Sequence, residues 1–142
     1  AVAVQSMWKA LGVQAELVNR EVKVHYDALK QNSFDVARAA WVADYNDPQN
    51  FLYVLETRTG PNNYSRYSDA EFDKLMLDQG QTKDQAARMQ MMQQAEKIAM
   101  DADAWIPIYY YVSKALVPPK VEGYVDNAKH IHRSRWLSIK EG

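Results

Sequence analysis

The stretch from Phe34 to Pro48 constrains the fold more than any other part of the sequence. Residues 36–42 carry a single polar side chain, Arg38, and such an apolar run predicts a strand buried on both faces of a sheet. Turn-forming residues follow directly, beginning with Asp44. Open α/β sheets hold ligands at the carboxyl ends of such strands. The stretch therefore predicts a binding site.

Helices and strands are predicted to alternate along the first third of the chain. Two strands joined by a helix there suggest a parallel βαβ unit, and Gly12 is expected just past the end of the first helix. Capping boxes at Ser68 and Thr82 predict the starts of two later helices. The second of these helices is predicted to carry an apolar stripe of Met91, Met92, Ala95, Ile98, Ala99 and Ala102. The predicted helices are 1–11, 23–30, 48–55, 68–80 and 82–102, and the predicted strands are 13–18, 34–42 and 105–112.

Composition narrows the class of protein. The chain has 142 residues, of which 47% are hydrophobic and 25% are charged, and its net charge is −1. This is ordinary for a globular domain and gives no reason to expect nucleic acid as a partner. Cysteine is absent, which excludes disulfides and thiolate chemistry. The first helix has no capping residue before it, so we expect a piece of a longer protein.

Asp44 and Arg38 are the sharpest candidates for binding. A carboxylate at the end of a buried strand needs a cation or several hydrogen-bond donors. Asp44 could contact a ligand, or it could form a local turn or pair with Arg38. Arg38 in turn could pair with Asp35 or meet an acidic group of a ligand. Asp47, before a proline, is more typical of a helix cap.

Other motifs favour packing over chemistry. His130 and His132 have a spacing that can ligate zinc, but no third ligand is evident, so we expect no metal or cofactor. The Tyr109–Tyr111 run is typical of core packing, although a ring facing a cleft would give it an apolar wall. Hydrolase and phosphate-binding motifs are missing. We therefore expect no enzyme.

Residues 34–48 closely resemble the signature of periplasmic oligopeptide-binding proteins of ABC importers. The likeness extends over most of residues 1–123, including Asn62-Asn63, Phe72-Asp73-Lys74-Leu75 and Ile106-Pro-Ile-Tyr-Tyr-Tyr-Val112. The resemblance implies the carboxyl-terminal lobe of a two-lobe, type II-like binding protein of α/β fold. Residues 1–117 would form part of that second lobe. Residues 118–142, beginning at Pro118-Pro119, would return towards the first lobe.

The resemblance also implies roles for particular residues. Ala40, Trp41 and Val42 match the segment whose backbone pairs with the peptide, and Asp44 matches the acid that holds the peptide α-ammonium group. Arg38 matches a residue that meets the carboxylate of a short peptide. Trp41 and Tyr111 match aromatic walls of side-chain pockets.

The implied partners are an oligopeptide, a membrane permease and the amino-terminal part of the same protein, in the periplasm. Two alternatives stay open. The same fold could bind a murein peptide, a metal complex or haem. The apolar half-cleft could instead hold a partner protein, as in an interaction module or a dimer.

Overall fold

Five α-helices and a short antiparallel sheet make up the regular structure of residues 1–127 and 129–140, which the computed structural model describes. Between the third and fourth helices the chain forms two 3₁₀ turns, Tyr53–Leu55 and Thr57–Asn62, and a third lies at Ser134–Trp136. The helices are α1 Val2–Ala10, α2 Val22–Lys30, α3 Gln49–Leu52, α4 Ala70–Gln81 and α5 Gln85–Asp101, and the strands are β1 Val121–Glu122 and β2 Ser138–Ile139.

The end of α1 confirms the predicted role of Gly12. Gly12 has a φ of 82°, which a residue without a Cβ adopts at low cost. Its N–H donates to the carbonyl of Lys9, and the N–H of Val13 donates to the carbonyl of Trp8. These two bonds form a Schellman motif, which satisfies carbonyls that the helix itself leaves free.

The helices α4 and α5 form where they were predicted, but other residues cap them. Asp69 accepts a hydrogen bond from the N–H of Phe72, and Asp84 accepts from the first-turn N–H groups of α5. The predicted caps Ser68 and Thr82 are therefore wrong. A carboxylate accepts more strongly than a hydroxyl at the positive end of a helix. Thr82 instead donates from its hydroxyl to the carbonyl of Asp78 at the end of α4.

The core lies between α3, α4 and α5. Phe72 is fully buried there, and its ring meets Tyr67 edge to face at 5.4 Å between centroids. The predicted apolar stripe of α5 contributes Met92, Ala95 and Ala99 to this core. The buried cluster comprises Leu52, Leu55, Phe72, Met76, Met92, Ala95 and Ala99. Burial of this cluster fixes α3, and hence the turn before it, against the helical pair.

The three strands predicted at 13–18, 34–42 and 105–112 are wrong as paired strands within the described residues. None of them takes part in a ladder, so no parallel βαβ unit forms. The expected burial of 34–42 is also wrong, because Val36 and Val42 are 64% and 69% exposed. A strand needs neighbours that accept its backbone hydrogen bonds and cover its faces. The described part of the chain supplies neither.

The carboxyl-terminal segment forms a small hairpin-like structure. Val121 pairs with Ile139 and Glu122 with Ser138. Gly123 has a φ of 81°, and a Cβ on it would lie 1.8 Å from the carbonyl oxygen of Trp136. Only glycine fits this close approach. The predicted division at 117/118 stays a prediction, and Ala128, Glu141 and Gly142 of its second part lie outside the described residues.

Candidate functional site

Asn50 organises the turn that carries the predicted site. Its side chain is 1% exposed. The side-chain oxygen Oδ1 accepts two hydrogen bonds, at 3.0 Å from the indole Nε1–H of Trp41 and at 2.9 Å from the backbone N–H of Asp44. Because an amide oxygen has two lone pairs, both are used. Asn50 thus joins the end of the 34–42 segment to the turn beyond it.

Trp41 also packs against the start of the first 3₁₀ turn. Its ring meets Tyr53 edge to face, with 5.6 Å between centroids. Burial raises the pKa of the Tyr53 hydroxyl, and the nearby negative charge of Asp44 raises it further. Asp44 itself is exposed to solvent.

Asp47 connects the same turn to α5. Its Oδ1 accepts from the N–H of Gln49 at 2.9 Å, which is the predicted capping role. The two carboxylate oxygens also accept hydrogen bonds from Nη1 and Nη2 of Arg88, at 2.6 and 2.8 Å. The hydrogen bond from Arg88 is the main cause that lowers the pKa of Asp47, against an opposing effect of burial.

The predicted site residues are brought together only in part. Trp41 and Asp44 share the Asn50 oxygen, and Ala40 and Val42 flank Trp41 in the same exposed segment. Arg38 is exposed and its carbonyl contacts the His25 ring at 2.9 Å. Tyr111 is 77% exposed. No hydrogen bond or aromatic contact within the described residues links either of them to Trp41 or Asp44.

The backbone beside Trp41 has no backbone partner in the described part of the chain. Residues 39–43 make no backbone–backbone hydrogen bond to the rest of the described chain. Ala39, Ala40 and Val42 are exposed, and Trp41 and Ala43 are half-buried. A segment whose backbone groups have no backbone partner can pair with an added extended chain.

His130 and His132, which have the spacing of zinc ligands, lie next to each other. The His132 Nε2 and His130 Nδ1 atoms lie 3.3 Å apart, and the ring of His132 stacks on Tyr124. In residues 1–127 and 129–140, no three His, Asp or Glu side chains form a group that could hold a metal ion. In the same ranges, no helix has the length and apolar character needed to cross a membrane.

Comparisons with known proteins identify relatives of this chain. Residues 1–63 match the family described as bacterial extracellular solute-binding proteins, family 5 middle. The oligopeptide-binding protein OppA of Salmonella typhimurium is 42% identical over 87% of this chain, and the murein peptide-binding protein MppA of Escherichia coli is 39% identical over 98%. The chain belongs to the family 5 solute-binding proteins.

Solved structures of family 5 proteins show the same fold. The Escherichia coli murein tripeptide-binding protein MppA superposes with a TM-score of 0.87 at 37% identity, covering 99% of this chain and 28% of that one. Haemophilus influenzae OppA, in complex with the peptide RPPGFSPFR, gives a TM-score of 0.86 at 35% identity with the same coverage. The predicted resemblance and the two-lobe α/β binding-protein fold are thereby confirmed.

The chain spans about a quarter of the length of its relatives, 23% of Salmonella OppA and 26% of MppA. The predicted periplasmic location is confirmed at the level of family 5, which is extracellular and whose relatives OppA and MppA are named periplasmic. These relatives are solute-binding proteins, not enzymes.

Sequence reasoning missed Asn50 and Arg88. An asparagine in the first turn of a helix is usually an ordinary polar surface residue. Asn50, however, lies four residues before the buried Val54 and therefore shares its helical face. That spacing was the available signal for Asn50. The ion pair between Arg88 and Asp47 joins residues 41 positions apart. A local sequence pattern cannot predict such a pair.

Proposed function

We propose that this chain forms part of the peptide-binding cleft of an ABC importer's solute-binding protein. The protein would capture oligopeptides in the periplasm and deliver them to a membrane permease. The observation that carries the proposal is the joint attachment of Trp41 and Asp44 to one buried amide oxygen, at the end of a segment with an unpaired backbone. This arrangement combines an aromatic wall, an acid and a backbone segment without backbone partners among the described residues.

Main-chain pairing would provide most of the affinity. The unpaired backbone of residues 39–43 supports this role, because an added strand satisfies N–H and C=O groups without reading side chains. The small side chain of Ala40 leaves room for a backbone to approach. Trp41 and Val42 would contact alternate side chains of the peptide, as strand geometry requires.

Asp44 would bind the peptide α-ammonium group. The carboxylate is exposed and makes no ion pair with a described residue, unlike Asp47, which is paired with Arg88. Its charge is therefore available to a cationic group at the end of the pairing segment. Hydrogen bonds to charged groups contribute about 1.5 to 3 kcal/mol, so the interaction is expected to decide which end of the peptide binds here.

Arg38 and Tyr111 would extend the cleft. Arg38 lies on the same segment and exposes its guanidinium, which suits the carboxylate of a short peptide. Tyr111 belongs to a segment of exposed apolar side chains, and such a surface marks a ligand or protein contact. We propose that the remaining part of the polypeptide closes over this surface as the first lobe.

Calorimetry on the complete polypeptide tests the role of Asp44. Asp44→Ala should weaken a tripeptide with a free amino terminus by about 10- to 100-fold, which corresponds to the energy of a charged hydrogen bond. The N-acetylated form of the same peptide should lose little affinity. Asp103→Asn, a change of the same charge at an exposed position, is the matched control and should leave both affinities unchanged.

Equal losses for the free and acetylated peptides would contradict the role of Asp44. Tight binding of the free peptide by the isolated 142-residue chain would contradict the two-lobe cleft, because this chain offers only one wall.

A murein peptide is the second candidate ligand. MppA relatives resemble this chain almost as closely as OppA relatives do. Competition calorimetry between a murein tripeptide and an ordinary tripeptide separates the two. Preference for the murein peptide would reassign the substrate but retain the binding role. The haem-binding relative from Haemophilus influenzae is 29% identical, and haem absorbance after incubation tests that ligand.

A further inference from the structure

Asn50 is the point at which the aromatic wall and the acid of the candidate site are joined. One atom, Oδ1, receives the indole N–H of Trp41 and the backbone N–H of Asp44, both within 3.0 Å. Asp44 is exposed and Trp41 is half-buried, whereas Asn50 is only 1% exposed. The two bonds therefore hold two residues at the surface in a fixed arrangement on one buried side chain.

Asn50 is itself held in place through its backbone. The backbone N–H of Asn50 donates to the carbonyl of Asp47 at 3.0 Å. Asp47 caps α3 and is clamped by Arg88 of α5. A continuous set of hydrogen bonds thus runs from the helical core to Asn50, and from Asn50 to the two site residues. Side chains that position a binding group are usually supported in this way.

We propose that Asn50 is a positioning residue that sets the distance between the Trp41 wall and the Asp44 carboxylate, and thereby determines selectivity for peptides with a free amino terminus. The inference rests on the proposed function of Asp44. Peptides that pair along residues 39–43 would meet the acid at a fixed register. Without the shared acceptor, the turn could place the carboxylate at several distances from the first peptide residue.

The remaining amide atom allows a conservative test. Nδ2 of Asn50 has no hydrogen-bond acceptor among the described residues. Asn50→Asp therefore keeps the acceptor and loses no bond seen in this part of the chain. Asn50→Ala removes the acceptor, and Asn50→Leu removes it while retaining the side-chain volume. Burial disfavours the charged form of the carboxyl in Asn50→Asp. In the neutral form its carbonyl oxygen can still accept from both donors, so the selectivity should not fall.

The measurement is the ratio of the Kd for an N-acetylated tripeptide to the Kd for its free-amine form, determined by calorimetry on the complete polypeptide. We expect Asn50→Ala and Asn50→Leu to lower this ratio at least threefold, and Asn50→Asp to preserve it. A purely structural role of Asn50 would weaken both peptides equally and leave the ratio unchanged.

The outcomes separate this inference from the proposed function. If Asp44→Ala abolishes the preference but Asn50→Ala and Asn50→Leu retain it, Asn50 is not the positioning residue and the role of Asp44 stands. If the native protein shows no preference for the free amine, both fail. If the ratio falls in Asn50→Leu and the thermal transition stays as in the native protein, the positioning role is supported even where Asn50→Ala does not fold.

Discussion

The ion pair between Asp47 and Arg88 should contribute measurably to stability, because it is bidentate and largely shielded from water. The side chains of Arg88 and Asp47 are 17% and 27% exposed, and their N–O distances are 2.6 and 2.8 Å. Fully exposed pairs contribute about 0.2 to 1 kcal/mol, whereas hydrogen bonds to charged groups contribute about 1.5 to 3 kcal/mol. Discounting for the remaining exposure, we expect a coupling of about 1 to 2 kcal/mol.

A double-mutant cycle isolates this coupling. Asp47→Asn keeps an oxygen that can accept from the N–H of Gln49, so the cap of α3 is retained while the charge is lost. Arg88→Met keeps the aliphatic part of the side chain and removes the guanidinium. Urea unfolding of the chain, followed by circular dichroism at pH 7, gives the four free energies. The exposed pair Lys97–Asp101, at 73% and 64% exposure, is the matched control and should couple by about 0.3 to 0.5 kcal/mol.

The pH dependence of the cycle provides a second check. The folded-state pKa of Asp47 is lowered, first by the hydrogen bond from Arg88. Its stabilisation is therefore fully present above the unfolded pKa of about 3.9 and is lost as the pH falls through the folded pKa. The coupling should be constant from pH 7 to pH 5 and should shrink below about pH 4. A coupling under about 0.3 kcal/mol at pH 7, or one unchanged by acid, would refute this reasoning.

Three further changes test the fold. Phe72→Ala, at a fully buried ring, should lower the free energy of unfolding by about 3 to 5 kcal/mol in urea titrations, whereas Phe72→Leu should cost clearly less. Asp84→Ala removes the acceptor for two N–H groups of α5 and should cost about 1 kcal/mol, with Asp84→Ser recovering most of it. Gly123→Ala should disrupt the β1–β2 pairing, since its Cβ would meet the Trp136 carbonyl; amide exchange at Lys140, whose N–H donates to Lys120, should accelerate. Unchanged exchange would contradict this account of Gly123.

Helices were predictable from the sequence because their determinants are local. Gly12 marked the end of α1, and the apolar stripe of α5 marked the face of that helix that packs in the core. Both signals lie within one or two turns of chain. The caps were misassigned by one or two residues, since Asp69 and Asp84 stand beside the Ser68 and Thr82 that the motif favours. Competing acceptors at adjacent positions differ by fractions of a kcal/mol, and a motif cannot rank them.

The strands and the interior of the site were less predictable, for a different reason. An apolar run such as 34–42 indicates that other apolar residues would cover it. Its pairing, however, depends on segments that are distant in sequence. The same limit applies to the site. Trp41 and Asp44 were found as residue types in a turn, whereas the atom that joins them, on Asn50, requires the fold of α3 against α5.

The adjacency of α4 and α5 has a kinetic consequence. These two helices are neighbours in sequence and share the most extensive contact among the described elements, so they can associate without closing a long loop. The turn at residues 44–50 is bound to them through Arg88. Residues 13–18, 34–42 and 105–112 pair with no other strand in the described part of the chain. We therefore expect the turn at residues 44–50 to take its shape early in folding, on a scaffold formed from local contacts. Under the proposed function, peptide capture would depend on the slower addition of the segments that complete the cleft.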